Sequence, residues 1–172
     1  MSAGGADPPG RGPAGRQRSI VKLKLDERSM LRRKPEIEHE REVAIFDLLE
    51  ENTFALTGDG AHAGPFHVYL KLAEDRLIMS VRDTNEQEIR DIALPIKPLR
   101  TVIKDYFIVC ESYFDAIKTS SPSQIEAIDM GRRALHNEGA ETLRERLAAD
   151  AEIDGATARR FFTLLCVLHM RG

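Results

Sequence analysis

The chain has 172 residues, of which 42% are hydrophobic and 31% charged, an ordinary balance for a single soluble domain. Its longest apolar run, residues 161–168, is interrupted by Thr163 and is far shorter than the ~20 residues that cross a bilayer. Residues 1–18 also lack the apolar core of a secretory signal. These features exclude a membrane-spanning protein, leave no reason to expect a membrane partner, and predict a cytoplasmic location.

Charge is distributed unevenly along the chain. Residues 1–34 hold nine Lys or Arg against three Asp or Glu, whereas the rest of the chain carries 16 basic and 25 acidic residues. A basic segment before an acidic body would suit nucleic acid or anionic lipid. The simpler expectation is that this segment folds against its own acidic domain or stays solvated, so nucleic-acid binding through it is kept only as an alternative.

Residues 1–18 are rich in Gly and Pro and contain no large apolar residue after Met1. Such a segment buries too little surface to offset the entropy of ordering it. We therefore predict a disordered Gly/Pro-rich arm over residues 1–18, followed by one α+β domain over residues 19–172.

The first strand is predicted at residues 20–25, where apolar residues alternate with Lys22 and Lys24, and lysines of this kind suit a sheet edge. Three more strands follow between Phe66 and Ile96, where apolar and polar residues alternate in three runs separated by turn-forming residues. This pattern predicts an antiparallel meander with one apolar face.

Helical periodicity begins at Pro35 and again after Pro98. The helix after Pro98 is apolar all round at residues 107–109, which predicts that it is the central, buried helix. Ser121 and Gln124 form a capping box at the start of the next helix. The expected fold is therefore α+β, with an antiparallel β-meander and an N-terminal strand covered by about five helices.

A glycine at position 139 interrupts the helix that starts at residue 122, and a helix break is predicted there. The candidate ligand-binding residues surround this break: His136, Glu138, Glu141, Arg132 and Arg133. Free N–H groups at a helix start attract anions, so these residues would suit a small anion or nucleotide. The alternative is that they are only cap and surface residues that pair among themselves.

Other clusters do not predict a site. The Glu-rich start of the helix at Pro35, which includes His39 and Glu40, is interpreted as a solvated helix face, since carboxylates are favoured at a helix N-terminus. Cys166 and His169 lie one turn apart, but a structural zinc site needs a second closely spaced pair. No metal, cofactor or catalytic residue is predicted, and both cysteines are expected to be reduced core thiols.

Three long segments resemble a family of small proteobacterial proteins that is known only as an uncharacterised family. They are residues 35–52, residues 132–139 and residues 158–169, and the likeness extends over about residues 18–170. The resemblance implies a bacterial cytosolic protein and transfers no activity, cofactor or site residue.

The sequence favours a non-enzymatic regulatory or adaptor module whose partner is another protein, because no catalytic motif is present and the charge is uneven. The first alternative is a protein or enzyme that binds a small anion or nucleotide at His136–Glu141. The second is nucleic-acid binding through the basic N-terminal segment.

Overall fold

The structure, a computed structural model, describes residues 13–26 and 35–169. Within these residues the helices are α1 (Pro13–Gln17), α2 (Pro35–Glu50), α3 (Arg100–Thr119), α4 (Pro122–Leu147) and α5 (Gly155–His169). The strands are β1 (Ile20–Leu25), β2 (Phe54–Leu56), β3 (Phe66–Ala73), β4 (Arg76–Arg82), β5 (Glu88–Pro95) and β6 (Ala151–Ile153). A 3₁₀ turn, Lys97–Leu99, leads into α3. The predicted α+β fold, with its meander, N-terminal strand and about five helices, is confirmed.

The main sheet has the strand order β1-β3-β4-β5, and β1 lies at its edge, parallel to β3. Strands β3, β4 and β5 form the predicted antiparallel meander. Leu77, Met79 and Val81 alternate with more exposed residues along β4 and are almost completely buried. Period-two patterning therefore gives the sheet one apolar face, which the helices cover.

The other face of the sheet carries a charged cluster around Glu86. Its carboxylate accepts hydrogen bonds from the Tyr69 hydroxyl (2.6 Å) and Lys22 Nζ (3.0 Å), lies 2.6 Å from His67 Nδ1, and is approached by Arg82 (3.5 Å). The hydrogen bonds from Tyr69, Lys22 and His67 lower the pKa of Glu86 to about 2. The cluster gathers two cations, Lys22 and Arg82, around one carboxylate and joins three strands of the sheet, β1, β3 and β4.

The central helix is α5 and not α3, so the prediction from residues 107–109 is wrong. Helix α5 packs against α2, α4 and β3, and Phe161 and Phe162 are completely buried. Helix α3 packs mainly on α4, which leaves Ile108 53% exposed and Ile117 51% exposed. The apolar stretch at residues 107–109 is therefore not enclosed, since Phe107 and Val109 are half-buried and Ile108 is exposed.

The predicted helix break is also wrong, because α4 is one continuous helix of 26 residues. The capping box that starts it at Ser121 is confirmed. Gly139 lies within α4 where the helix meets Phe162, and a Cβ at this position would be only 2.2 Å from the phenylalanine ring. The glycine thus allows close packing of α4 on α5 and does not end the helix.

A second, two-stranded sheet formed by β2 and β6 was not predicted. Asn52, just before β2, is buried and joins this region to the main sheet. Its side chain accepts from the N–H of Ile20 (2.7 Å) and donates to the carbonyl oxygens of Ile20 (2.8 Å) and Leu48 (2.7 Å). One amide therefore ties the start of β1 to the end of α2.

A disordered arm was predicted over residues 1–18, and positions 1–12 of it lie outside the described residues. Residues 13–18 differ from that prediction, since they contain helix α1 and contact the domain through their backbone. The carbonyl of Gln17 accepts from the N–H of Gly64 (2.6 Å), and that of Arg18 accepts from the N–H of Phe54 (2.7 Å). The described structure therefore begins before the predicted boundary at residue 19.

Candidate functional site

Four helices enclose a cleft of about 510 Å³, which we call the arginine cleft. Its lining residues are His39, Glu40, Val43 and Ala44 of α2, Tyr106 of α3, Arg132, Arg133, His136 and Asn137 of α4, and Arg159, Arg160 and Thr163 of α5. The cleft thus collects four guanidinium groups from two neighbouring helices. Three of the five residues predicted for a ligand site lie in it.

Helix α4 supplies Arg132, Arg133 and His136 because positions three and four apart share one face of a helix. Asp129, one turn earlier, accepts from Arg132 (2.6 Å) and Arg133 (2.8 Å). These two arginines hold the pKa of Asp129 below its ordinary value. Arg132 also lies 5.0 Å above the Tyr113 ring, so its guanidinium is fixed on two sides.

Helix α5 supplies Arg159 and Arg160, which the sequence analysis did not single out. Arg160 pairs with Asp47 of α2 at 3.4 Å. Arg159 has no carboxylate within ion-pair distance among residues 13–26 and 35–169, and its side chain is exposed. The cleft therefore has at least one guanidinium whose charge the described residues leave uncompensated.

His136 lines the cleft and is half-buried, and burial first, and then Arg132, Arg159 and Arg160, lower its pKa to about 4. The imidazole is therefore neutral near pH 7. Its Nε2 is 2.7 Å from the Thr163 hydroxyl, which also lies 3.2 Å from the Arg159 carbonyl. The donor in the His136–Thr163 hydrogen bond is set by which ring nitrogen of His136 carries the proton.

Tyr106 of α3 and Glu40 of α2 also line the cleft. Tyr106 is 3% exposed and its ring packs edge-on against His136, with 5.3 Å between the centroids. Burial raises the pKa of Tyr106 well above its ordinary value, so the hydroxyl stays protonated. Burial also raises the pKa of Glu40, although Arg132 and His39 oppose this shift. The interpretation of the start of α2 as a purely solvated face therefore fails for Glu40, which is half-buried.

Glu138 and Glu141, the other two predicted ligand residues, do not line the cleft. Because α4 is unbroken, Glu138 is rotated by about 200° from His136 around the helix axis. Both glutamates are exposed, and Glu141 pairs with Arg144 at 3.4 Å. The predicted set therefore divides by helix face: its basic residues and His136 lie in the cleft, and its acidic residues lie outside.

The described residues contain no group of three or more His, Cys, Asp or Glu side chains that could hold a metal ion. Cys110 and Cys166 are buried free thiols, and burial raises the pKa of both. None of the described helices is long and apolar enough to cross a membrane.

The molecule is thus an α+β protein in which a helical layer gathers guanidinium groups around one cleft. The chain belongs to the uncharacterised protein family UPF0262, whose model matches residues 17–171, as the sequence resemblance implied. It is 54% identical over 153 residues to a UPF0262 protein of Rhodospirillum rubrum (89% of this chain, 93% of the relative). A UPF0262 protein of Paramagnetospirillum magneticum is 55% identical over 156 residues (91% of this chain, 98% of the relative).

A UPF0262 protein of Brucella canis is 54% identical over 153 residues, which is 89% of this chain and 94% of the relative. No solved structure matches the chain. The family name carries no activity, so a function has to be inferred from the cleft.

Proposed function

We propose that this protein binds a small anionic ligand, with a phosphate or carboxylate group, in the arginine cleft, and that it acts in the bacterial cytosol as a ligand-binding protein. The single observation that carries the proposal is the convergence of four guanidiniums from α4 and α5 on one concave site. Binding of a small anion is the first alternative in the sequence analysis. Because of the arginine cleft, we prefer it to the regulatory or adaptor function.

The chemistry of the cleft favours an anion over a neutral ligand. Arginine presents a planar fork of donors that matches the oxygens of carboxylate and phosphate. Arg132 and Arg133 share one carboxylate, and Arg159 has none among the described residues, so positive charge exceeds negative charge on this side of the cleft. Of the other lining residues, Tyr106 has a neutral hydroxyl and Glu40 is a carboxylate whose ionised form burial disfavours.

The shape and charge of the molecule support a small ligand over nucleic acid. The arginines line a concave cleft of about 510 Å³, a size typical of small-molecule sites. Within the described part of the basic N-terminal segment, Arg18 approaches Glu152 (3.7 Å) and Lys22 pairs with Glu86 (3.0 Å). Five of the nine basic residues of that segment, namely Arg11, Arg28, Arg32, Arg33 and Lys34, lie outside the described residues.

The proposal is tested by thermal shift and calorimetric titration with orthophosphate, pyrophosphate and citrate at constant ionic strength, with chloride as the reference salt. A ligand that binds only the folded state raises the melting temperature in a saturable way. Arg159→Gln is the informative variant, because its exposed side chain leaves no carboxylate behind among the described residues and its loss should not unfold the protein. Loss of one charge-assisted contact should weaken binding by about 10- to 100-fold.

Arg146→Gln is the matched control, since Arg146 is an exposed arginine of α4 that does not line the cleft. It removes the same charge and should leave the affinity within about twofold. Equal weakening in the two variants would indicate a general effect of net charge. That result, or the absence of saturable stabilisation by all three anions, contradicts the proposed function.

A further inference from the structure

A second depression adjoins the arginine cleft, in a groove of about 290 Å³ between α2 and α3. Its apolar walls are Ile37, Phe107, Cys110 and Phe114. Glu40 and Tyr106 line both the groove and the cleft, so the two depressions are neighbours that meet at these side chains. We call this depression the apolar groove.

The apolar groove differs from the cleft in the sign of its charge. Besides Glu40, the groove is lined by Glu36, Glu111 and Asp115, with one basic residue, Lys118. An anion is therefore repelled from this side, while the arginines attract it on the other. Charge alone would orient a molecule that spans both depressions, with its anionic group among the arginines.

The walls of the groove are suited to hydrocarbon. Phe107 is half-buried and Phe114 is 36% exposed, so aromatic surface lies open between the two helices. At the junction, burial raises the pKa of Glu40, which makes its ionised form less favourable there. An apolar chain that covered Phe107 and Phe114 would remove apolar area from water and be stabilised accordingly.

We propose that the ligand is an amphipathic anion, whose phosphate or carboxylate head lies in the arginine cleft and whose hydrocarbon chain lies in the apolar groove. This inference rests on the proposed function, since it assigns the head to the same arginines. It adds the chemical class of the ligand and makes Phe107 and Phe114 specificity-determining residues.

The test uses the full chain and a series of n-alkyl phosphates from methyl to octyl, each below its micelle concentration, with inorganic phosphate as the reference. A parallel series of n-alkyl carboxylates identifies which head group is preferred. Affinity should rise with each methylene by up to about fourfold, the factor that corresponds to ~0.8 kcal/mol per buried methylene, and then level off when the groove is filled.

Phe114→Ser should flatten this dependence on chain length while leaving the affinity for inorganic phosphate unchanged. Ile117→Ser is the matched control, because Ile117 is an exposed apolar residue of the same helix that does not line the groove. Arg159→Gln should weaken all members of the series by the same factor, since that arginine contacts only the head.

The outcomes separate the two proposals. If inorganic phosphate binds saturably and the affinity of the alkyl series does not depend on chain length, the inference of an amphipathic ligand is overturned and the proposed function stands. Absence of binding by every member overturns both. A rise in affinity without a plateau in the native protein, or one equally reduced by Phe114→Ser and Ile117→Ser, indicates unspecific adsorption and also overturns the inference.

Discussion

Gly139→Ala gives the sharpest test of the packing between α4 and α5. In an exposed helix the substitution stabilises by about 1 kcal/mol, because alanine is the better helix former. At position 139, however, the new Cβ would lie 2.2 Å from Phe162 Cε2 and 2.3 Å from Cζ, whereas ordinary contacts begin near 3.4 Å. The ring would have to move by more than about 1 Å.

That movement is expensive because Phe162 is 0% exposed and its ring is held on two sides. The centroid of the Phe162 ring lies 5.2 Å from that of His136 and 5.7 Å from that of Tyr106, both in edge-on contacts. Overpacking of this kind costs about 1–3 kcal/mol, and the size of the clash puts Gly139→Ala at the upper end. After the gain in helix propensity, we expect a net loss of about 1–2 kcal/mol.

The measurement is urea unfolding followed by far-ultraviolet circular dichroism. The free energies of unfolding of Gly139→Ala and of a control variant are compared, with equal m-values as the condition for the comparison. Gly131→Ala is the matched control in the same helix, since a Cβ there meets no atom within 4 Å. It should stabilise by about 0.5–1 kcal/mol. If Gly139→Ala is as stable as Gly131→Ala, the close approach of α4 to Phe162 is incorrect. Because Phe162 supports His136, a clash should also weaken anion binding in the cleft.

Three further substitutions test the core and the cleft. Asn52→Ala leaves the N–H of Ile20 and the carbonyls of Ile20 and Leu48 without their partner. It should lower the free energy of unfolding in urea by about 2–4 kcal/mol. A decrease below about 1 kcal/mol would refute the role of Asn52 in connecting β1 to α2. His136 has a lower pKa folded (about 4) than unfolded (6.5), so the unfolded chain binds the extra proton between these values. His136 therefore makes the free energy of unfolding higher above pH 6.5 than below pH 4, by an amount on the order of 3 kcal/mol, and this stability is lost as the pH falls from 6.5 to 4. The difference in free energy of unfolding between wild type and His136→Gln should decrease over the same pH range. Phe162→Ala should cost about 3–5 kcal/mol and the half-buried Phe107→Ala about half as much, and equal losses in chemical denaturation would mean that Phe107 is as enclosed as Phe162.

Local sequence signals predicted the elements whose stability is local. Alternation along residues 66–96 predicted the meander because each strand must turn one apolar face to the helices. The capping box at Ser121, whose side chain accepts from the N–H of Gln124, depends only on neighbours within one turn. Such contacts are fixed by sequence spacing alone.

The cleft could be predicted only in part. Arg132, Arg133 and His136 are close in sequence and were singled out together. Arg159 and Arg160 come from another helix, and nothing in their own neighbourhood distinguishes them from solvated surface arginines. Glu138 and Glu141 were included because a helix break was expected, whereas a continuous α4 turns them away from His136.

The sequence by itself thus determined the four strands of the main sheet, the helices that start near Pro35, Pro98 and Ser121, which face of the sheet is apolar, and the family to which the chain belongs. The tertiary structure alone decided which helix is central, why Gly139 is needed, and which charged residues share a cleft. The physical reason is that periodicity and capping depend on neighbours along the chain. Packing brings together residues that are distant along the chain. It decides the enclosure of α5, the contact of Gly139 with Phe162, and the position of the arginines in one cleft.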